Sequence, residues 1–86
     1  MSQSQDLPVT FSSFVVSIAQ SALMNLGEVS DPESGATARN LPLARNAIEL
    51  LAMLREKTQG NLDNEEKQLV EAIFGELGQK YEDASR

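Results

Sequence analysis

The chain has 86 residues, a formal net charge of −6 and neither Cys nor His, so it can form one small domain with a thin core. The missing residue types exclude disulfides, thiolate nucleophiles, imidazole bases and the usual zinc ligands. Because the chain is acidic and its seven Lys and Arg are scattered, phosphate backbones repel it, and we expect no nucleic-acid partner.

Residues 1–9 are mostly polar and contain Pro8, and they predict a flexible N-terminal arm. The first six residues carry no Lys or Arg, so the positive segment of a secretory signal is missing and we expect a cytoplasmic protein. A single helical domain is predicted over residues 10–83, followed by a short tail over residues 84–86.

The first predicted helix covers residues 10–26, with Thr10 as its N-cap and Gly27 as its stop. From Leu7 to Gly27 there are 21 consecutive residues without a charge, which is about the length that spans a bilayer. The many Ser, Gln and Asn side chains and the acidic flanking residues disfavour a transmembrane segment, so we expect no membrane partner.

Serines recur every four residues along one side of this helix, at Ser13, Ser17 and Ser21, with Phe14 and Met24 beside them. The simplest interpretation is that this side of the helix is a mildly polar surface exposed to solvent. However, the face has no charged residue, whereas exposed helices of soluble proteins normally carry charges. The pattern therefore favours a close-packed seam between two chains, with these residues at the interface of a homodimer: Ser13, Phe14, Ser17, Ser21 and Met24.

The next segment, residues 28–38, is an acidic turn, because Asp31-Pro32 and Gly35 have the conformations that turns require. The carboxylates of Glu28, Asp31 and Glu33 could in principle hold Ca²⁺ or Mg²⁺. The turn lacks further ligands at alternating positions and a bidentate Glu after them. We therefore expect a solvated turn and no metal.

The second predicted helix covers residues 41–59. It begins after Asn40, tolerates Pro42 in its first turn and ends before Gly60. Charged residues lie on one side, and apolar residues fall on the other, at Leu43, Ala44, Ala47, Ile48, Leu50, Leu51 and Leu54.

The third predicted helix covers residues 63–83. Asp63 is expected to cap it, with Glu66 reaching back in a capping box. Gly75 and Gly78 lie beside its apolar stripe. They either let a neighbouring helix approach closely or only weaken this helix, and of the two we favour the close approach.

Together these elements predict an all-α domain of three helices that associates with itself. The expected core combines the apolar stripes of the three helices, at Phe11, Val15, Ile18, Ala22, Ile48, Leu51, Leu54, Leu69, Ile73, Phe74 and Leu77.

An ordered string of short motifs between Phe11 and Tyr81 resembles a small bacterial family described only as a domain of unknown function, number 1844 in that series. The resemblance implies a small helical bacterial protein and implies no activity, substrate or cofactor. Its motifs are Phe11-x-x-Phe14-Val15-x-Ser17-Ile18-Ala19, Ser21-Ala22-x-x-x-Leu26-Gly27-Glu28, Asp31-Pro32-Glu33-x-Gly35, Ala44-Arg45, Ile48-x-Leu50-Leu51-x-Met53-Leu54-x-Glu56-Lys57-Thr58 and Gly60-Asn61-Leu62-x-x-Glu65-Glu66.

For function, the sequence favours a non-catalytic scaffold or partner-binding module with an unknown protein partner. The alternative is a peripheral membrane or membrane-protein-associated factor that uses the uncharged first helix. A small enzyme or a metal-dependent regulator ranks third. Serine catalysis needs a base, and the lysines lie in carboxylate-rich segments rather than in apolar pockets. We expect no catalytic residues and no cofactor.

Overall fold

A computed structural model describes residues 8–86, and in this range the chain forms three helices and no β-strand. The helices are α1 (Phe11–Asn25), α2 (Leu41–Lys57) and α3 (Asn64–Ala84). The predicted all-α class is confirmed, and the helix ends differ from the predicted ones by two residues at most. Residues 1–7 of the predicted N-terminal arm lie outside the described residues.

Each helix begins at a capping side chain. The Thr10 hydroxyl accepts a hydrogen bond from the Ser13 backbone N–H at 3.0 Å. The Asn40 side chain accepts one from the Leu43 N–H at 3.1 Å. These oxygens satisfy N–H groups that have no partner inside the helix, which explains why the helices start where they do.

The predicted capping box of α3 is confirmed. The Asp63 carboxylate accepts from the Glu66 N–H at 2.8 Å, and the Glu66 carboxylate accepts from the Asp63 N–H at 3.0 Å. We expect Asp63→Ala to lower the free energy of unfolding by about 0.5–2 kcal/mol, since a helix N–H loses its partner. Asp63→Asn keeps an acceptor and should retain much of that stability in chemical denaturation. Equal losses for Ala and Asn would contradict the capping role.

The two ends of the connection between α1 and α2 lie side by side and are joined by backbone hydrogen bonds. The backbone N–H of Asn40 donates to the Asn25 carbonyl at 2.7 Å, and Leu26 and Arg39 form an isolated antiparallel bridge. Gly27 makes the turn out of α1 with a φ of 79°, a value that favours glycine. As a result α2 begins beside the end of α1 and runs back along it.

The core lies where the three helices meet, and small side chains fill much of it. Alanines at the buried positions let the helix axes come close together. The largest fully buried side chains are Leu26, Leu51, Val15 and Val70. The buried residues are Val15, Ile18, Ala19, Ala22, Leu26, Ala44, Ala47, Leu51, Val70 and Leu77.

The predicted core is therefore partly wrong. Of the eleven expected residues, Val15, Ile18, Ala22, Leu51 and Leu77 are buried. The three helices form a body only 15 Å thick along its shortest axis. In so thin a body the helices cannot cover the full apolar side of one another, so many of the apolar side chains lie at the edge of a helix–helix contact and are only partly buried. The expected core residues that are only half-buried are Phe11, Ile48, Leu54, Leu69, Ile73 and Phe74.

The interpretation of Gly75 and Gly78 is also wrong within this chain. A Cβ atom added at either position would meet no atom within 4 Å. No helix of the described chain therefore approaches α3 at these glycines, and they lower helix propensity without a packing reason.

Candidate functional site

The predicted interface residues lie at or near the surface of α1. Ser13, Phe14 and Ser17 are exposed, and Ser21 and Met24 are half-buried. Phe14 leaves 51% of its surface accessible, which is high for an aromatic side chain on an element that also builds the core. The chain's own helices therefore leave most of the predicted seam uncovered.

Two polar side chains on this side of α1, Ser17 and Asn25, already have partners inside the helix. The Ser17 hydroxyl donates to the Phe14 carbonyl at 2.7 Å, and the Asn25 amide donates to the Ser21 carbonyl at 2.9 Å. A hydroxyl that is hydrogen-bonded to its own helix backbone loses little when water is removed from it. The seam can therefore be covered by apolar surface at a low desolvation cost.

Ser13 has a second role that its spacing did not reveal. Its hydroxyl accepts from the Thr10 N–H and donates to the Thr10 carbonyl, both at 3.0 Å, which completes a capping box at the start of α1. The recurrence of serine every four residues thus includes one serine that helix capping explains by itself.

Helix α2 extends the uncharged surface of α1. Leu43 and Leu50, which the sequence placed on the apolar side of α2, leave 50% and 42% of their surfaces accessible, and Met53 leaves 43%. Leu43 and Leu50 lie on the α1 side of α2, where they line a groove of about 280 Å³ between the two helices. Its lining carries no charge and consists of Ser17, Ile18, Ser21, Asn25, Leu43, Asn46, Ala47 and Leu50.

We call this surface the α1–α2 face. It comprises the groove and the exposed apolar side chains within one helical turn of it, Phe14 on α1 and Met53 on α2. Sequence reasoning missed the α2 half. The signal was present in the apolar side of α2, which is wider than packing against α1 and α3 requires.

Two of the three carboxylates of the acidic turn, those of Glu28 and Asp31, are engaged in structural contacts. Glu28 pairs with Lys80 of α3 at 3.4 Å, and Asp31 accepts from the Glu33 N–H at 2.8 Å in an Asx turn. Across residues 8–86, no three Asp or Glu side chains are grouped in a way that could hold a metal ion.

A second cavity, of about 510 Å³, lies at the elbow between α2 and α3. Arg55 lines this cavity and contacts two residues of α3. Its guanidinium donates to both carboxylate oxygens of Glu71, at 2.8 and 3.0 Å, and lies 4.5 Å from the centre of the Phe74 ring. An arginine fixed by a bidentate ion pair and a cation–π contact joins two helices, so we assign it a structural role.

Hydrogen bonds from Arg55, with the charge of Lys67 acting in the same direction, lower the pKa of Glu71. A carboxyl whose pKa is lowered in the folded state stabilises the fold above its unfolded pKa of about 4.3, and this contribution is lost as the pH falls through the folded value.

Thermal unfolding of the wild type and Glu71→Gln across pH 7 to 3 tests this expectation. The wild type should melt at the higher temperature at pH 7, and the difference should shrink in the acid range. A difference in melting temperature that stays constant over this pH range would contradict the assignment.

Comparisons with known proteins add one finding. The model of a family described as a domain of unknown function, DUF1844, matches residues 8–83. No curated protein and no solved structure matches the chain. Among the helices of residues 8–86, none combines the length and the apolar character needed to cross a bilayer.

Proposed function

This chain belongs to the DUF1844 family, described as a domain of unknown function, and we propose that it acts as a non-catalytic module that associates with itself and binds a partner protein in the cytoplasm. Self-association uses the uncharged side of α1, at Ser13, Phe14, Ser17, Ser21 and Met24. The module joins two copies, so that whatever each copy binds is brought together.

The observation that carries this proposal is an exposed helix surface without charge on an acidic chain. No charged residue occurs between Leu7 and Gly27, although the chain has a net charge of −6. Two copies repel each other over most of their surfaces. The uncharged side of α1, with Phe14 half exposed, is where they can approach without bringing like charges together.

The small size of the chain supports the same proposal. A domain of 86 residues has a thin core, and a second copy would add buried apolar area that its own three helices do not provide.

A peripheral membrane role is the second candidate, because α1 also exposes Val16, with 39% of its surface accessible. Helices that lie in a membrane interface usually carry Lys and Arg on their polar side. Helix α1 has neither, and anionic lipid repels a chain with a charge of −6. These features favour self-association over lipid binding.

Cysteine cross-linking tests the proposal cleanly, because the natural chain contains no Cys. Ser13→Cys, Ser17→Cys and Ser21→Cys each introduce one thiol on α1, and Ser30→Cys introduces one in the exposed acidic turn as a control. Two thiols form a disulfide when their Cα atoms come within about 7 Å.

At low micromolar concentration with mild oxidant, at least one α1 variant should form covalent dimers far faster than Ser30→Cys. Equal and slow cross-linking of all four variants would contradict self-association through α1. A separate vesicle-flotation assay tests the membrane role. Flotation of the wild type with anionic or neutral vesicles would support that role instead.

A further inference from the structure

The groove between α1 and α2 has a size and a lining that suit the binding of one side chain. Its volume is about 280 Å³, which is below the 300–1,000 Å³ of typical small-molecule sites. Small side chains, Ser17, Ser21 and Ala47, are part of its lining, and Leu43 and Leu50 are its large apolar residues from α2. A single large apolar side chain fits such a groove better than a cofactor or a charged group does.

The same face carries a side chain of that kind. Phe14 lies one helical turn before Ser17, which lines the groove, and leaves 51% of its surface accessible. A face that carries both a projecting side chain and a groove can complement a second copy of itself. A two-fold dimer requires this property, because each copy contributes both halves of every contact.

We propose that Phe14 of each copy inserts into the α1–α2 groove of the other copy, so that the two chains meet through α1 and α2 together. This inference rests on the proposed self-association and deepens it, because it names the anchor, the groove and the second helix. Leu43 and Leu50, half exposed in the single chain, become buried around the inserted rings.

Four polar side chains line the groove, and two of them are already hydrogen-bonded. The Ser17 hydroxyl and the Asn25 amide donate to carbonyl groups of their own helix, so an incoming ring leaves neither donor without an acceptor. Contact of the ring with the other two, Ser21 and Asn46, carries a desolvation cost. No charged side chain lines the groove, and therefore a phenyl ring displaces water without desolvating an ion.

Three variants separate this inference from the proposed function. Phe14→Ala removes the anchor, and Leu50→Lys places a charge in the groove wall. Val16→Lys is the control, because Val16 is also partly exposed on α1 but lies about 200° around the helix from Phe14 at 100° per residue. Circular dichroism and thermal melting verify that each variant is folded before its dimer dissociation constant is measured by sedimentation.

Truncation of an interface anchor weakens binding by at least about 30-fold, and a two-fold dimer contains the anchor twice. We therefore expect Phe14→Ala to raise the dissociation constant by about 30- to 1,000-fold and Leu50→Lys to abolish the dimer. Val16→Lys should stay within about threefold of the wild type.

A dimer that survives Phe14→Ala and Leu50→Lys but is lost in Val16→Lys would overturn the inference. Self-association through α1 would then stand, but its interface would lie on the side of α1 away from Phe14. A wild type that is monomeric at every concentration would overturn both.

Discussion

Replacing Leu51 by Ala is expected to lower the free energy of unfolding by about 2–5 kcal/mol, enough to unfold much of a domain of this size. Leu51 is fully buried on α2 and belongs to the core cluster to which all three helices contribute. Removing its branched end leaves a cavity, because neighbouring helices relax only partly into the space. Urea denaturation at one fixed protein concentration measures the loss, since the stability of a self-associating chain depends on concentration.

Val29→Ala is the control, because it shortens an apolar side chain that is 42% exposed and lies outside the α1–α2 face. Its effect on the fold of one chain should be much smaller than that of Leu51→Ala, and Ile73→Ala, at a half-buried position, should fall between the two. If Leu51→Ala melts at the wild-type temperature, the packing of α2 described above is wrong.

Replacing Ser17 by Arg is expected to convert the dimer into monomers while leaving the helices intact. Ser17 is exposed in the single chain, so an arginine there extends into solvent and costs the monomer little. In the dimer the guanidinium would be buried against apolar groups, at a cost of several kcal/mol if it is desolvated without a partner. Each copy contributes one such charge, and the two also repel each other.

Ser30→Arg, in the exposed acidic turn, makes the same change in net charge at a site outside the α1–α2 face. It should remain dimeric, which separates a local effect from a change in overall charge. A Ser17→Arg protein that sediments like the wild type at every concentration would contradict the proposed interface.

Local chemistry made the helix ends predictable. The caps Thr10, Asn40 and Asp63 and the glycines that follow α1 and α2 act within a few residues of chain, so the sequence determines them without knowledge of the fold. The structure confirms Thr10 and Asp63 as caps and places Gly27 after α1 with a φ of 79°. Asn40 also caps α2, and α2 ends at Lys57, before the predicted stop at Gly60, whose φ is 84°.

Packing was harder to predict, because periodicity shows which side of a helix is apolar but not how far a neighbouring helix reaches over it. Leu69 and Ile73 belong to the apolar stripe of α3 and are nevertheless half exposed. In the thin body, the other helices fully cover only a narrow line along this stripe, at Val70 and Leu77. The sequence did place Leu51 in the core and leave Leu50 out of it, as the structure has them, but it gave no indication that Leu50 borders a groove.

The candidate face was half predictable. The absence of charge on α1 is a property of the sequence and identified Phe14 and Ser17 as surface candidates. The groove depends on how α1 and α2 lie against each other, and only the fold shows that Leu43 and Leu50 border the same surface.

Sedimentation equilibrium of the wild-type chain over a wide concentration range tests self-association most directly. The account predicts a mass that rises with concentration to twice the 9.4 kDa of one chain and then stays constant, as a closed two-fold dimer requires. A mass that remains at 9.4 kDa up to high concentration would contradict it.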